Sequence, residues 1–399
     1  MQCVVLAAGE GKRMRPLTAH RPKVMLPIGN RPMLAHLVDA VVAAGISELI
    51  MVVGYGEQSI RSWFGNGADR GISIRYVSQR RQKGTADALN TAKDLVSDRF
   101  LMLNGDMILS TGDIASLMGE QPPAMGISTT DRPEDYGVVT TKGDRVTCLE
   151  EKSREPQGNQ INAGAYLFDS GIFPLLEKVR HSSRGELELT DALGHYIEEG
   201  SLTGHHLRTW RDLGHPWDLL AANESFLSGM EAVNMGTVEE GVVLKGMVSV
   251  GEGTVIKSGT YIEGPCIIGK NCRIGPHAYL RGATAIGDGC HVGHAVELKN
   301  TILLENTKVP HFNYIGDSVI GSDCNFGAGT KVANLRHDHS PVKAGGVQTG
   351  RVKMGAIIGD GVKFGINCAV NPGTVIGSGV SVAPHTLVEG VIEDNTRVR

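Results

Sequence analysis

Near its amino end the chain reads Leu6-Ala7-Ala8-Gly9-Glu10-Gly11-Lys12-Arg13-Met14-Arg15-Pro16-Leu17-Thr18, a glycine turn followed at once by cations. Backbone N–H groups of such a turn form a concave donor set and Arg13 adds a charged fork, so the segment suits a polyphosphate. It is not the dinucleotide fingerprint, because Met14 stands where a third glycine would be. Nor is it a Walker loop, because no Gly-Lys-Ser/Thr follows. A second candidate lies far downstream, in Lys308-Val309-Pro310-His311-Phe312-Asn313-Tyr314. An aliphatic rhythm breaks there, between Glu305 and Asn313, and a loop is expected to leave a regular coil, where function concentrates. A neutral imidazole takes up protons near pH 7, which suits His311 to general base work, although a lone histidine is more often a hydrogen-bonded surface group.

Two kinds of scaffold must hold these residues. Up to about Leu227, short aliphatic strands alternate with amphipathic segments, the rhythm of an α/β domain with a mostly parallel sheet. The expected strands are Val4 to Ala7, Glu48 to Val53, Ile74 to Val77 and Phe100 to Leu103. Helices are expected over Met33 to Ala44, Thr85 to Leu95 and Trp217 to Ala232, where apolar residues recur at helical spacing. Beyond about Gly236 that period vanishes. An aliphatic residue then returns every sixth position: Val250, Ile256, Ile262, Ile268, Ile274, Leu280, Ile286, Val292, Leu298 and Leu304. The phase resumes as Ile320, Phe326 and Val332, and again from Ile358 through Phe364, Val370, Ile376 and Val382 to Val388. A hexapeptide repeat predicts a parallel β-helix whose short strands turn a corner and stack on the coil beneath. The boundary therefore falls at 227/228, with an α/β domain over 1–227 and a β-helix over 228–399.

Composition agrees with this division and excludes several classes. Of 53 glycines in 399 residues, 28 fall in residues 236–399, where repeated corners need open φ/ψ space. With 39 Lys+Arg against 43 Asp+Glu the net charge is −4, leaving no basic field to gather nucleic acid. No apolar run approaches the roughly 20 residues that cross a bilayer. The seven cysteines include no C-x-x-C pair, which fits a reducing cytoplasm better than a disulfide framework or a zinc knuckle. Five of them, Cys266, Cys272, Cys290, Cys324 and Cys368, fall four places after a phase aliphatic and read as small interior filler.

The amino-terminal motifs recur together in one family. Leu6 to Met14, Arg21-Pro22-Lys23, Gln79 to Ala86, Asn104-Gly105-Asp106, Tyr136-Gly137, Asn162-Ala163-Gly164 and Asp212-Leu213-Gly214 stand in the order found in the sugar-1-phosphate nucleotidylyltransferases. Residues 1–225 resemble that family, in which a sugar-1-phosphate attacks the α-phosphate of a nucleoside triphosphate and pyrophosphate leaves. The resemblance implies Asp106 and Asp212 as carboxylates for Mg²⁺, with Arg13 and Lys23 neutralising charge at phosphorus. It implies Leu6, Ala8, Gly9, Gly11, Gln79, Gly84 and Thr85 for the nucleotide. Gly137, Asn162 and one of Glu150 or Glu151 would take the sugar, and the doubled glutamate is compatible with either register. UTP and dTTP both remain open.

The carboxy-terminal half is similar to the acetyltransferase half of the bacterial bifunctional enzyme that makes UDP-N-acetylglucosamine. Arg281, Lys299, Tyr314, Asn325 and Asn334 match in order around His311. The whole chain most closely resembles the archaeal version of that bifunctional family. The resemblance implies acetyl transfer from acetyl-CoA to glucosamine-1-phosphate, with His311 as base. Arg281 and Lys299 would hold the phosphate, and Tyr314, Asn325 and Asn334 the ring or amine. Ala328, with the glycine backbone around it, and Lys353 would meet acetyl-CoA. It also implies a left-handed coil and a homotrimer with the acetyl site between subunits. Two other readings stay open: a nucleotidylyltransferase acting on glucose- or mannose-1-phosphate whose β-helix only assembles subunits, and a non-catalytic regulatory scaffold. His337-Asp338-His339 is read as a loop rather than a metal site.

Overall fold

The computed structural model describes residues 1–153, 155–182 and 184–399. The chain divides into two compact units: residues 1–10, 21–25 and 33–212 form one, and residues 11–20, 26–32 and 213–399 the other.

The first unit is built on a nine-stranded sheet. Its strands are β1 (Gln2–Ala7), β2 (Glu48–Val53), β3 (Ser73–Ser78), β4 (Phe100–Asn104), β5 (Ala124–Thr129), β6 (Gly137–Lys142), β7 (Arg145–Glu151), β8 (Gln160–Phe168) and β9 (Thr203–His206). They lie in the order β3-β2-β1-β4-β8-β5-β9-β7-β6. The first four run parallel, and β8 joins β4 antiparallel. Strand β1 is central, so both of its faces are buried and its residues alternate between two cores. Cys3, Val5 and Ala7 pack with Leu34, Leu37, Val38 and Val41 of the helix Met33–Ala43. Val4 and Ala8 pack with Ala86, Ala88 and Leu89 of the helix Thr85–Asn90. The expected helix to Leu95 is shorter than its periodicity suggested, ending at Asn90 before a separate 3-10 turn, Lys93–Leu95. The carboxyl ends of β1 and β4 deliver Ala8 and Asn104-Gly105-Asp106 side by side, and ligands of open α/β sheets bind at such ends.

In the second unit three parallel sheets stack coil on coil. Nearly every phase aliphatic is interior: Val250, Ile256, Ile262, Ile268, Ile274, Leu280, Ile286, Val292 and Leu298 belong to one continuous core, with Cys266, Cys272, Cys290, Cys324 and Cys368 beside them. The rhythm fails after Leu298 for a different reason from the loop expected. Ile268 pairs with Ile286 eighteen residues on, but Ile286 pairs with Leu303 and Leu303 with Ile320, each seventeen residues on. Leu303 therefore takes the interior position in place of Leu304, and Val309 and Ile315 are core residues. The segment around His311 is a regular strand, Lys308–His311, that turns its corner at Phe312 with φ 52°. What leaves the coil is residues 335–353, between Ile320 and its partner Ile358, with a hairpin pairing Lys343–Ala344 to Val347–Gln348. Leu335 bridges Lys353 and closes the excursion at its neck.

The linker helix spans Asp218–Ser228 and stops before Gly229, four residues short of the expected Ala232. It belongs to the second unit, together with residues 26–32. Its buried Asn223 accepts from Gly29 N (3.0 Å) and donates to Ala283 O (2.7 Å), which ties those segments to a coil of the β-helix.

Phe326 is fully buried and stacks on Phe364 with centroids 4.7 Å apart. We expect Phe326→Ala to lose about 3–5 kcal/mol through lost burial and a residual cavity. The denaturation midpoint measures it, and an unchanged midpoint would mean that these coils do not share one continuous core.

Candidate active sites

In the first unit one buried ammonium organises the candidate site. Lys23 Nζ donates to Asp106 Oδ2 (2.6 Å) and Asp212 Oδ1 (3.1 Å), joining three distant stretches of sequence. Burial would lower the lysine pKa, but the two carboxylates outweigh it and hold the group above its ordinary value. Asp212 lies on the strand Arg211–Asp212, which pairs with Met107–Ile108 immediately after Asp106. Behind it, buried Asp113 accepts from the backbone N–H of Arg208 (2.7 Å) and Thr209 (3.0 Å) and fixes the approach to Asp212. Tyr136 donates its hydroxyl to Asp212 Oδ2 (3.1 Å). Burial first, then the Asp212 charge, pushes that phenol well up, so it remains a donor. Two carboxylates converging on one cation are the hard-oxygen set Mg²⁺ prefers, with phosphate oxygens and water left to complete an octahedron. The residues present therefore fit that ion.

Around these groups the other expected residues separate into clusters. Buried Gln79 donates to Gly84 O (3.1 Å) and Asp87 Oδ2 (2.8 Å), shaping the loop that opens the helix Thr85–Asn90. A Cβ at Gly84, which has φ 127°, would sit 2.3 Å from Leu187 O, so only glycine admits this crossing. Thr85 Oγ1 accepts from Leu189 N (3.0 Å). Ala8 O accepts from Gln82 Nε2 (2.6 Å), a residue sequence reasoning passed over. Leu6 is half-buried in β1, and the space beside Gly9 is open. Gly11 and Arg13 lie in the segment that packs with the second unit, where Gly11 (φ 75°) opens the 3-10 turn Lys12–Met14 and Arg13 is exposed.

Gly137, Glu151 and Asn162 come together. A Cβ on Gly137 would lie 2.9 Å from Glu151 Oε2 and 3.6 Å from the Asn162 Cβ. Glu150 is exposed, since successive strand residues face opposite sides. Burial raises the Glu151 pKa, and Arg184 at 3.3 Å opposes the rise. Arg184 lay in the sequence without any signal, and Tyr136 stood in a motif from which only Gly137 was given a role. Asn162 is locked through Tyr166, donating to its hydroxyl (2.6 Å).

The second candidate site lies on one sheet of the β-helix. Strands Tyr279–Arg281, Glu297–Lys299 and Tyr314–Gly316 stack in register, so Arg281, Lys299 and Gly316 form a row. Arg281 makes a two-nitrogen contact with Glu297 Oε1 (2.8 and 2.7 Å). Lys299 Nζ donates to Asp317 Oδ2 (2.8 Å), and Asn334 Nδ2 donates to the same oxygen. A Cβ at Gly316 would sit 2.6 Å from both Asn334 Nδ2 and the Tyr314 hydroxyl, so glycine leaves room for those two groups to meet. Burial, then Glu297 and Asp317, raises the Tyr314 pKa. The structure thus gathers Arg281, Lys299, Tyr314 and Asn334 around two carboxylates that sequence reasoning did not single out.

His311 and Asn325 lie elsewhere on the coil. His311 ends the strand of the neighbouring sheet, one corner before Tyr314, in register with His294 and with its carbonyl accepting from Gly329 N (3.0 Å). Asn325 bridges Lys308 and Lys363 on that same neighbouring sheet, so it is outside the Arg281–Lys299 row. Ala328 follows Asn325, and its carbonyl accepts from Asn367 N (2.8 Å). Lys353 sits at the neck of the excursion, opposite Leu335. Asp338 is engaged by Arg336 (2.9 Å) and Ser340 (2.9 Å).

These features define a nucleotidyl transferase: the model of that family matches residues 2–229, and a model of the GMPPB C-terminal domain matches residues 262–352. A solved chain from Bacillus anthracis, described as a glucose-1-phosphate thymidylyltransferase, is 29% identical with a TM-score of 0.53, covering 59% of this chain and 98% of its own. Full-length relatives are more informative. The bifunctional protein GlmU of Methanocaldococcus jannaschii is 41% identical and that of Methanococcus maripaludis 45%, each over 100% of this chain and 97% of the relative. The bifunctional sugar-1-phosphate nucleotidylyltransferase/acetyltransferase of Sulfurisphaera tokodaii is 37% identical over 97% of both. The chain belongs to this bifunctional family, with a Rossmann-like nucleotidyltransferase domain followed by a left-handed parallel β-helix. Among the described residues, no helix is long and apolar enough to cross a membrane.

Removing the ammonium at position 23 would leave two carboxylates facing each other. We expect Lys23→Met to cost up to about 3 kcal/mol at pH 7. Millimolar Mg²⁺ should restore much of that loss by pairing with both. Thermal melts with and without the ion check this, and a melting temperature indifferent to Mg²⁺ would contradict a divalent site at these aspartates.

Proposed function

We propose that the chain performs two consecutive transfers in nucleotide amino-sugar synthesis: N-acetylation of glucosamine-1-phosphate by acetyl-CoA, then transfer of UMP or dTMP from the nucleoside triphosphate to the product, releasing pyrophosphate. The observation that carries the nucleotidyl assignment is the convergence of Asp106 and Asp212 on buried Lys23. Bound Mg²⁺ would supply charge neutralisation at the triphosphate, held by those two aspartates. Lys23 directs its ammonium at the same place, and Tyr136 and the anchor at Asp113 hold Asp212 in position. Leu6, Ala8, Gly9 and Gly11, with Gln79, Gly84 and Thr85, are assigned to the nucleotide, and Arg13 to its phosphates on the strength of its motif. Gly137, Glu151 and Asn162 are assigned to the sugar, with Glu151 preferred over Glu150 because it lies against the other two.

For acetyl transfer, an ammonium must first lose a proton. The His311 imidazole takes it, and the freed lone pair attacks the thioester carbonyl carbon. A C–N bond forms and the C–S bond breaks; of the two protons the ammonium nitrogen gives up on becoming an amide, one leaves with CoA as its thiol and the other goes to solvent. Arg281 and Lys299 are assigned to the sugar phosphate, Tyr314 and Asn334 to the ring or amine. Asn325, Ala328 and Lys353 are assigned to the side from which acetyl-CoA enters. A homotrimer working in a reducing cytoplasm, with the acetyl site completed between neighbouring subunits, is part of the same proposal.

A second reading, in which the β-helix serves only assembly, draws support from the GMPPB C-terminal domain match. Thiol release from acetyl-CoA and glucosamine-1-phosphate separates the two, because assembly alone gives none. We expect His311→Ala to lower acetyl transfer about 10²–10⁴-fold and spare pyrophosphate release. Asp106→Ala should do the reverse. Loss of both activities in a folded His311→Ala protein would overturn the assignment of separate sites.

A further inference from the structure

The acetyl-site donors do not stand alone. Asp317, 3% exposed, takes Lys299 and Asn334 on Oδ2 and the side chain of Asn300 on Oδ1 (2.9 Å). Asn300 is itself buried, and its Nδ2 also donates to Glu224 Oε1 (2.7 Å). Glu224 belongs to the linker helix Asp218–Ser228, and the same oxygen accepts from Arg351 Nη2 (2.5 Å) in the excursion. Both neighbours of the Asn300 amide are carboxylates, which only accept, so its nitrogen must face them and its orientation is fixed. The chain Arg351, Glu224, Asn300, Asp317 and Lys299 with Asn334 alternates donors and acceptors throughout and balances two cations against two anions. A network paired in this way, and buried at its centre in Asn300 and Asp317, sets the direction of the donors attached to it.

We propose that Glu224 is a positioning residue for acetyl transfer. Acting through Asn300 and Asp317, it fixes where Lys299 and Asn334 present their donors, while Arg351 seats the excursion on the same carboxylate. The helix nearest in sequence to the nucleotidyl half is thereby part of the acetyl site. This rests on the assignment of Lys299 and Asn334 to the amino-sugar phosphate.

The test uses the full chain, with thiol release and pyrophosphate release measured on the same preparations. Glu224→Ala should raise KM for glucosamine-1-phosphate about tenfold or more, as expected for losing a hydrogen bond to a charged group, with kcat changing far less. Pyrophosphate release should stay at the wild-type level. Glu224→Gln keeps an acceptor for Asn300 and should recover most of the KM. Asn300→Ala combined with Glu224→Ala should do little more harm than either alone. An unchanged KM in Glu224→Ala, or a loss of kcat with KM unchanged that follows lowered stability, would overturn the proposal. Absence of thiol release from the wild-type protein would instead remove the acetyltransferase reading, and this proposal with it.

Discussion

A charge withdrawn from water must meet its opposite within hydrogen-bond reach, because the cost of leaving it unpaired runs to several kcal/mol. Both candidate sites are arranged under that constraint. Buried Lys23 draws Asp106 and Asp212 together from positions separated by more than a hundred residues. Buried Asp317 draws Lys299, Asn334 and Asn300 onto two oxygens. In each case the buried charge is the hub that fixes the directions of its partners. The two hubs have opposite sign. The cationic hub orients two carboxylates, and the anionic hub orients an ammonium and two amides.

The β-helix imposes a second constraint, since each backbone group pairs with the coil above or below and every coil must close on the next. Eighteen residues do this with six on each side, and seventeen do it by shortening one corner. Both seventeen-residue steps fall beside the second candidate site, bringing Tyr314 over Glu297 and Lys331 over Tyr314. A larger surplus cannot be absorbed by a corner and is expelled sideways, which is how residues 335–353 come to stand off the coil. The neck of that excursion lies next to Asn334, where Met354 N returns to Asn334 O (2.9 Å). Irregularity in coil length and concentration of polar side chains therefore coincide, because an interrupted ladder supplies space that a regular one fills.

Much of this was legible in sequence because it depends on periodicity. Strand Glu48 to Val53 follows from a short unbroken aliphatic run, and the interior positions from Val250 to Leu298 from sixfold spacing. The interior cysteines follow from their fixed offset to the same phase. The motifs around Lys23, Asp106 and Asp212 were visible because their neighbours are distinctive. What was not legible depends on where the chain returns to itself. Leu304 fitted the phase in one dimension, but stacking on Ile286 selects Leu303. Asp317 follows Gly316 like many turn aspartates, and only the coils above and below show that three donors end on it. Arg184 reaches Glu151 from 33 residues away, with no spacing rule to announce it.

The linker helix is held by polar contacts that its helical periodicity does not reveal. Its apolar spacing assigns it to the α/β half, which is where its sequence neighbours lie. Its polar side chains, buried Asn223 and partly exposed Glu224, bond instead to residues of the second unit. Asn223 satisfies Gly29 N and Ala283 O, and Glu224 satisfies Asn300 and Arg351. Apolar contacts are non-directional and would tolerate some sliding of this helix, whereas the four hydrogen bonds of two adjacent residues tolerate none without stranding a buried group. The helix is thus held in register by its polar residues, and the register it holds is that of the coils carrying Lys299 and Asn334.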